Sequence, residues 1–377
     1  MFKSVLLASV AVASLTAFAT GASAQSMISP VLGAGTTANE AIVLQRGDRN
    51  RATVDQTQGT NAKAGFLNNQ IDLTATNLTA ANGNAALNDA NTVVQSGYDN
   101  GLSIVQGGNN NQVVTTNGNY SRADFSLDPT KGSFSAGSGN GVSITQNGMN
   151  GKAQFQQNGD KNSATIIADA NSNTTYAGIF QNGTSNNSQI NQYSTSSNVT
   201  ATVTQRGDRN QGYIEQGSTR TSADIVQDGN DNISRIRQYS SSSDANASVR
   251  QNGSSNQGYI EQYGSSIFAG ITQEGNGNYS LINQYGSSSN AYAAVRQVGN
   301  SNTGNIDQNG FTNYAAILQI GDGNSGYISQ AGNQGVGAFI YQNGNNNGGS
   351  ITQGGAYYSN AGFAQFGSGN NVTIRQR

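Results

Sequence analysis

Side-chain amides are the groups in this chain whose type and spacing could do chemistry. Between residues 181 and 376 a glutamine returns every 11 to 13 residues, and every second one opens the motif Gln-x-Gly-x-x-Asn. An amide side chain carries hydrogen-bond donors and acceptors together, so identical amides placed one above another can bond in a continuous column, here called a ladder. The chemistry that this spacing predicts is hydrogen bonding between stacked copies of one unit.

Three positions of the repeat are predicted to form ladders: the first glutamine, the asparagine five residues later, and the next glutamine. These positions keep their residue type, whereas solvated surface positions usually vary, so we disfavour the alternative that they are exposed amides. The predicted ladder residues are Gln181, Asn186, Gln192, Gln205, Asn210, Gln216, Gln227, Asn232, Gln238, Gln251, Asn256, Gln262, Gln273, Asn278, Gln284, Gln297, Asn302, Gln308, Gln319, Asn324, Gln330, Gln342, Asn347, Gln353, Gln365, Asn370 and Gln376.

The elements that must position these amides are short β-strands. In the first arm of each repeat, alanine stands four residues before the glutamine and Ile or Val two residues before it, with Phe363 in the last copy. In the second arm, isoleucine stands two residues before every glutamine. Constant residues at i, i+2 and i+4 fit a strand with one buried face, whereas a helix would need spacings of three or four. The Gly-x-x-Asn segment between the arms predicts a tight turn.

One rung therefore consists of a strand, a tight turn, a second strand and a looser turn, in 22 to 24 residues. We predict an all-β fold, a two-strand-per-rung β-solenoid of the cross-β type with about a dozen rungs. The composition, 34% hydrophobic and 10% charged, would alone be compatible with disorder, but the periodicity decides against it. A longer period of 46 residues overlies the rungs, because NQGYIEQ occurs at 210–216 and again at 256–262.

The first residues of the chain have the features of a signal peptide. Lys3 precedes an apolar stretch, and Ala22-Ser23-Ala24 forms a small-residue cleavage site. The stretch is short and is interrupted by Ser and Thr, which disfavours a transmembrane helix. We therefore expect residues 1–24 to be removed, the mature chain to be exported, and no transmembrane segment to remain.

The rest of the chain is predicted to be one repeat domain without a separate globular module. Residues 25–40 are expected to form an N-terminal lead segment, 41–134 irregular and degenerate repeats, and 135–377 the regular solenoid. Within the irregular part, 58–92 and 112–134 lack the pattern, and we interpret the second of these as a bulged or looped-out rung.

Enzymatic functions are disfavoured by the residue types present. The chain contains no His and no Cys, so the usual general bases, thiol nucleophiles and soft metal ligands are missing. Acidic residues such as Asp208 and Asp322 lie beside Gly and Asn, where Asp is favoured by conformation alone, and they do not recur in each rung as calcium ligands would. We predict no enzyme activity, no cofactor and no metal site. Nucleic-acid binding is not indicated, because there is no basic run and the formal net charge is −2, or −3 without Lys3.

Outward-facing residues are expected to pair between rungs. Glu215, Arg237 and Glu261 occupy one position on successive rungs with alternating sign, which predicts ion pairs along the stack. Exposed pairs contribute roughly 0.2–1 kcal/mol each, so they tune the register of the rungs without creating the fold. The sequence leaves open whether the aromatic residues after three consecutive second-arm glutamines stack as a ladder or are simply tolerated beside a turn. These residues are Tyr239, Tyr263 and Tyr285.

The unit Ala-x-Ile-x-Gln-x-Gly-x-x-Asn-x-(Ser/Gly)-x-Ile-x-Gln resembles the curlin repeat, the building block of curli, which are extracellular amyloid fibres of bacteria. The resemblance covers about 135–377 continuously and 41–111 in patches. It implies that the Gln and Asn residues named above, with the inward Ser or Gly, are the stacking residues of a fibre subunit. It also implies a cell-surface fibre used in adhesion and biofilm matrix, whose partners are further copies, other curlin subunits and a dedicated outer-membrane secretion system. Because the chain is much longer than a five-repeat curlin, the roles of major subunit, nucleator and accessory member stay open.

An uncapped solenoid end would be a template for strand addition, independently of the resemblance. The last predicted rung runs to Gln376, and unpaired strand edges favour head-to-tail association into a filament. The alternative from another class is a monomeric extracellular solenoid that binds a ligand or ice. Such a protein would need capped ends and a flat outward face with a regular array of Thr or aromatic residues, and the sequence predicts neither.

Overall fold

The computed structural model describes residues 40–41, 43–46, 49, 51–56, 62–64, 93–109, 111–113, 133–193, 196–239, 242–285, 288–355 and 358–376. The expected signal peptide and residues 25–39 of the lead segment lie outside the described residues. Within the described ranges, no helix is long and apolar enough to cross a bilayer.

The described residues form 29 strands. In the irregular part and the rungs that follow it, the strands are β1 Glu40–Ala41, β2 Val43–Arg46, β3 Arg51–Asp55, β4 Lys63–Ala64, β5 Val93–Tyr98, β6 Gly101–Gln106, β7 Gln112–Val113, β8 Phe134–Ser138, β9 Gly141–Gln146, β10 Lys152–Asn158, β11 Ser163–Ala168, β12 Asn173–Asn182 and β13 Asn187–Gln192. The later strands are β14 Ser197–Arg206, β15 Gln211–Gln216, β16 Ser222–Asp228, β17 Ile233–Gln238, β18 Asn246–Asn252, β19 Gln257–Gln262, β20 Phe268–Glu274, β21 Tyr279–Gln284, β22 Tyr292–Val298, β23 Thr303–Phe311, β24 Tyr314–Ile320, β25 Ser325–Gln334, β26 Gly337–Asn343, β27 Gly348–Gly354, β28 Asn360–Phe366 and β29 Asn371–Gln376.

The strands stack as two parallel sheets that face each other. A 13-stranded sheet contains the second arms from β3 to β29, and a 16-stranded sheet contains the first arms. Neighbouring rungs are in register, so that Gln227 pairs with Gln251 in one sheet and Ile236 pairs with Ile260 in the other. The prediction of an all-β solenoid with two strands per rung and about a dozen rungs is confirmed.

The first arm is split in the early rungs. Strand β4 pairs with β1 below and β7 above, whereas β5 pairs with β2 and β8. Both halves then meet the continuous strand β10, which pairs with β7 and with β8. The two irregular stretches therefore interrupt the same strand in consecutive rungs, between its alanine position and its glutamine position, and their ends still pair in register. Residues 65–92 and 114–132, which lie between these halves, are outside the described residues.

A thin core runs between the two sheets. In strand β18 inward residues are buried and outward ones exposed or half-buried, in strict alternation. Ala247, Val249 and Ile260 belong to one apolar cluster that continues through the described rungs, and the glutamines of both arms are buried beside it. Small apolar side chains bury little area each, so the solenoid also depends on the hydrogen bonds of its backbone and amides.

The 46-residue period has a packing origin. Where the first arm carries valine, the facing second arm carries glycine, because a Cβ at Gly258 would lie 2.8 Å from Cγ1 of Val249. Where the first arm carries isoleucine, as at Ile225, the second arm carries serine, and the Ser234 hydroxyl donates to Gln251 Oε1 at 2.7 Å. Two kinds of rung therefore alternate, which makes the repeating unit two rungs long between residues 179 and 304.

Candidate functional site: the amide ladders

The first-arm glutamines form one ladder along the core. Gln227 Nε2 donates to Gln251 Oε1 at 2.9 Å, and Gln251 Nε2 donates to Gln273 Oε1 at 2.8 Å. The second amide proton of Gln251 goes to a main-chain acceptor, the carbonyl oxygen of Ile233 at 3.2 Å. The in-register strands place each amide directly over the one before it. Because the amides are buried, a bond lost from the ladder would leave a polar group unsatisfied.

The second-arm glutamines form a parallel ladder with the same direction. Gln238 Nε2 donates to Gln262 Oε1 at 3.0 Å, and Gln262 Nε2 donates to Gln284 Oε1 at 3.0 Å. Gln262 also donates to the carbonyl oxygen of Asn246 at 3.1 Å. In both glutamine ladders the amide N–H groups point toward the C-terminal end of the solenoid and the carbonyl oxygens toward the N-terminal end.

The asparagines of the tight turn form a third ladder that runs in the opposite sense. The backbone N–H and the Nδ2 of Asn256 donate to Asn232 Oδ1 at 3.0 and 3.1 Å. Nδ2 also donates to the carbonyl oxygen of Gly275 in the next rung at 2.7 Å. Asn256 thus ties its tight turn to the rungs on both sides.

The structure brings the candidate residues from Gln181 to Gln376 together in these three columns. All of them are buried except Asn370 and Gln376 in the last rung. The columns also include earlier residues outside the candidate set: Gln106 Nε2 donates to Gln146 at 2.9 Å, and Gln157 Nε2 donates to Gln181 at 2.9 Å. These earlier residues could have been predicted from the same sequence motif, although the motif is less regular in the first third of the chain.

Two natural substitutions show what a ladder position requires. Ser135 takes the place of a first-arm glutamine, and its hydroxyl still donates to Gln157 Oε1 at 3.2 Å. Ala168 takes the place of a second-arm glutamine and pairs with Gln192 in the next rung. The Oε1 atom of Gln192 is buried and has no hydrogen-bond partner. An alanine in the ladder therefore leaves the next acceptor unsatisfied.

Replacing Gln262 by alanine is expected to lower the free energy of unfolding by about 1–3 kcal/mol, because it leaves a donor of Gln238 and the acceptor of Gln284 unpaired in a buried site. The measurement is the denaturant midpoint of the soluble chain followed by circular dichroism. Replacing the adjacent outward residue Glu261 is the control and should cost less than about 1 kcal/mol, since its partner Arg237 also contacts Glu215 at 2.6 Å. Equal losses in the two variants would mean that the inward amides do not stabilise the stack.

The reverse substitution offers a complementary control at the natural gap. Ala168→Gln would supply the missing donor to Gln192, so it should raise the midpoint that Gln262→Ala lowers. A variant that is folded and no more stable than the unmodified chain would count against the ladder's contribution.

Ion pairs join the rungs on the outer surface, as the alternating signs predict. Arg237 contacts Glu215 at 2.6 Å and Glu261 at 3.5 Å, which ties three consecutive rungs. In the tight turns, Arg209 contacts Asp231 at 2.7 Å, and its hydrogen bond lowers the pKa of the Asp231 carboxyl below the ordinary value. Because these groups are exposed or half-buried, the pairs favour the correct register and add little to stability.

Aromatic side chains form two further columns. Tyr239 and Tyr263 stack with ring centroids 3.9 Å apart and an interplanar angle of 10°, whereas the Tyr263 and Tyr285 centroids are 6.4 Å apart. The Tyr239 and Tyr263 rings therefore stack closely, whereas the Tyr263 and Tyr285 rings are farther apart. The other column, in which Tyr292 stacks on its neighbours at 4.8 and 5.0 Å, was not predicted from the sequence. Its signal was an aromatic residue five positions before the first-arm glutamine on three consecutive rungs, at Phe268, Tyr292 and Tyr314.

The described residues contain no group of three or more acidic side chains arranged to hold a metal ion. The repeated polar groups of the interior bond to one another and to the backbone. The arrangement is suited to joining rungs and not to transforming a bound molecule, which points to a structural protein.

Comparison with known proteins supports this architecture. The family model for the curlin associated repeat matches residues 36–65 and 299–332. The second match includes Gln308, Gln319 and Gln330, which belong to the two glutamine ladders. A search of curated proteins found no significant match to the chain. The chain therefore carries the curlin associated repeat at two places, once at the first rung and once in the regular solenoid.

Proposed function

We propose that this protein is a secreted structural subunit that assembles into extracellular amyloid fibres of the curli type, for adhesion and biofilm matrix. The observation that carries the proposal is the set of three in-register amide ladders, which repeat the same donors and acceptors in every regular rung and can continue into the rungs of another copy. Growth would occur by templated addition of strands without catalysis. Export through the signal peptide and an outer-membrane secretion system, and association with other curlin subunits, belong to the same proposal.

The last rung presents the groups that the ladders use elsewhere to bond the next rung. Gln365 Nε2 donates to the carbonyl oxygen of Gly348 at 2.8 Å, and Gln376 Nε2 donates to that of Asn360 at 3.3 Å. In earlier rungs the second amide proton is donated to the following glutamine, and no rung follows within the described residues. An added rung would accept these two protons on its own glutamine oxygens.

The two ends of the described solenoid differ in exposure. Val372 and Ile374, the inward apolar residues of the last second-arm strand, are only partly buried. The matching residues of strand β3, which is the second-arm strand of the first rung, are Ala52 and Val54, and they are 3% and 2% exposed. Among the described residues the C-terminal rung is thus the more exposed of the two, and we propose that growth proceeds from it.

Directional ladders make the joint between subunits head-to-tail. The C-terminal end offers glutamine donors, and the matching face of another copy would have to offer glutamine oxygens. Two C-terminal ends would place donors against donors. A heterologous contact that does not close on itself generates a filament.

The roles of nucleator and accessory subunit use the same joint and remain alternatives to that of the major subunit. A monomeric solenoid that binds a ligand or ice is less well supported. Along the outer face of the first arm, the residue three positions before the glutamine changes from Thr202 to Asp224, Ser248 and Gly270 in successive rungs. Binding to a repetitive surface would favour one residue type in such a column.

Assembly kinetics test the proposal. The mature chain should convert, after a lag, from soluble protein into unbranched fibres with cross-β diffraction, and sonicated fibres should abolish the lag because they supply open rungs. Protein that stays monomeric by sedimentation for days, at high concentration and with full β circular dichroism, would contradict the fibre proposal.

A further inference from the structure

The tightest aromatic contact in the described part of the solenoid joins two tyrosines one rung apart. The rings of Tyr239 and Tyr263 are nearly parallel, with centroids 3.9 Å apart. Both side chains are half-buried at the outer surface. Two phenols held in register and open to solvent are arranged for a reaction between their rings.

We propose that Tyr239 and Tyr263 form an oxidative cross-linking site, at which hydrogen peroxide acting through a haem peroxidase joins the two rings as dityrosine. Each phenol loses one electron and one proton to give a tyrosyl radical. The radicals couple through the ring carbons next to the hydroxyl groups, and each of these carbons then loses its hydrogen as the ring regains aromaticity through transfer of a proton to the oxygen. The two electrons and two protons reduce one peroxide to two waters.

Neighbouring residues hold the pair in the reactive arrangement. Arg237 and Glu261, which lie two residues before Tyr239 and Tyr263 respectively, form an ion pair at 3.5 Å that ties the two rungs. Partial burial raises the pKa of Tyr263 well above its ordinary value, so its phenol keeps its proton until the electron leaves. The ion pair between Arg237 and Glu261 therefore helps to keep the two rungs that carry the stacked rings in register.

Other tyrosines provide internal comparisons. Tyr263 and Tyr285 are separated by 6.4 Å with an interplanar angle of 27°, which is a poorer geometry for coupling. Tyr292 and Tyr314 stack at 5.0 Å and are the next most favourable pair. Tyr358 is 77% exposed, the largest exposure among the described tyrosines, and is therefore open to coupling between separate molecules.

The cross-link would close a loop between neighbouring rungs of the same chain. Its formation depends on the solenoid fold and not on a fibre, so it can succeed or fail independently of the proposed function. A covalent bond between positions 239 and 263 would oppose separation of two rungs during unfolding, in the way that a disulfide restricts an unfolded chain. Oxidised protein should therefore resist denaturant more strongly than untreated protein.

The test treats the mature full-length chain with a haem peroxidase and hydrogen peroxide, then locates dityrosine by fluorescence and by mass spectrometry of the digested protein. A mixture of isotopically light and heavy chains distinguishes coupling within one chain from coupling between chains. We expect the main product to join the peptides containing Tyr239 and Tyr263 with matching isotopes.

Matched phenylalanine variants separate this site from general tyrosine oxidation. Tyr239→Phe keeps a stacked ring and removes the reactive phenol, so the dityrosine yield should fall by at least half, whereas Tyr285→Phe should leave it unchanged. Oxidation in denaturant should remove the preference for the 239–263 product. A light–heavy fraction near one half, which random coupling between chains in an equimolar mixture would give, would overturn the proposal, and so would equal yields from the two variants.

Discussion

Replacing Gly253 by alanine is expected to destabilise the solenoid by about 3 kcal/mol or more. Gly253 lies in the tight turn of its rung with φ of +124°, a conformation that L-residues with a side chain rarely adopt. A Cβ there would lie 2.0 Å from the carbonyl oxygen of Gly275 in the next rung. The obstructing atom is backbone, so relief would require separating two rungs that are bonded along both arms.

The same close approach, between 1.9 and 2.2 Å, recurs at the equivalent glycine of each rung from Gly137 to Gly344. The matched control is Gly141→Ala, because Gly141 has nothing within 4 Å of a Cβ and lies in strand β9. The control should change stability by no more than about 0.5 kcal/mol. Comparable denaturant midpoints for Gly253→Ala and Gly141→Ala would show that the tight turns do not stack as described.

Replacing Thr373 by proline is expected to abolish fibre elongation from the C-terminal end. The N–H of Gly348 donates to the carbonyl oxygen of Asn370 in the following rung at 2.7 Å, and alternate N–H groups along a strand point the same way. The equivalent groups in the last strand are those of Asn371, Thr373 and Arg375, which would face an incoming subunit. Proline at 373 removes one of these donors and places its ring at the joint. Elongation of preformed seeds by the variant is the measurement.

The effect of the proline depends on which residue of the last strand it replaces. The N–H of Ile374 points toward the preceding rung, so proline there would also break a bond within the subunit, whereas Thr373→Pro leaves the internal strand pairing in place. Thr373→Val keeps the N–H group and is the control, which should elongate normally. Each joint needs one C-terminal end, so a small proportion of Thr373→Pro protein should terminate growing wild-type fibres and shorten them. Normal elongation by the proline variant would mean that growth does not use this end.

Much of the fold could be predicted because inward positions are constrained to one residue type. Alanine, an apolar residue and glutamine, as at Ala247, Val249 and Gln251, recur with period two in the regular rungs, and a parallel in-register stack places each copy against the next. The sequence therefore indicates both the strands and which side chains face inward. The same logic identified the pairing of Arg237 with acidic residues on adjacent rungs.

The split strands were harder to predict because their halves are far apart in sequence. Lys63–Ala64 and Val93–Tyr98 occupy two parts of one strand position, yet neither half contains the full period. The register of these strand halves is set by the neighbouring strands, above all by the continuous strand Lys152–Asn158. A pattern search along one chain cannot detect a strand that is completed by a distant segment.

The direction of the ladders could not be predicted either. A column of glutamines shows that amides meet, but the sense of donation depends on side-chain rotamers and on main-chain acceptors such as the carbonyl oxygen of Ile233. At Ala168, where the column lacks a glutamine, it is the Oε1 acceptor of Gln192 in the next rung that is left without a partner, as expected if each glutamine donates to the next rung.

Mass per unit length of the fibre, measured by dark-field electron microscopy, tests whether the subunits stack as solenoids along the fibre axis. Thirteen rungs spaced by about 4.8 Å give one subunit for about 62 Å of fibre if each joint continues the two sheets without a gap. We expect that value for a single filament. A density close to one chain for about 4.8 Å would show that each chain forms a single flat layer, and would contradict end-to-end stacking of solenoids.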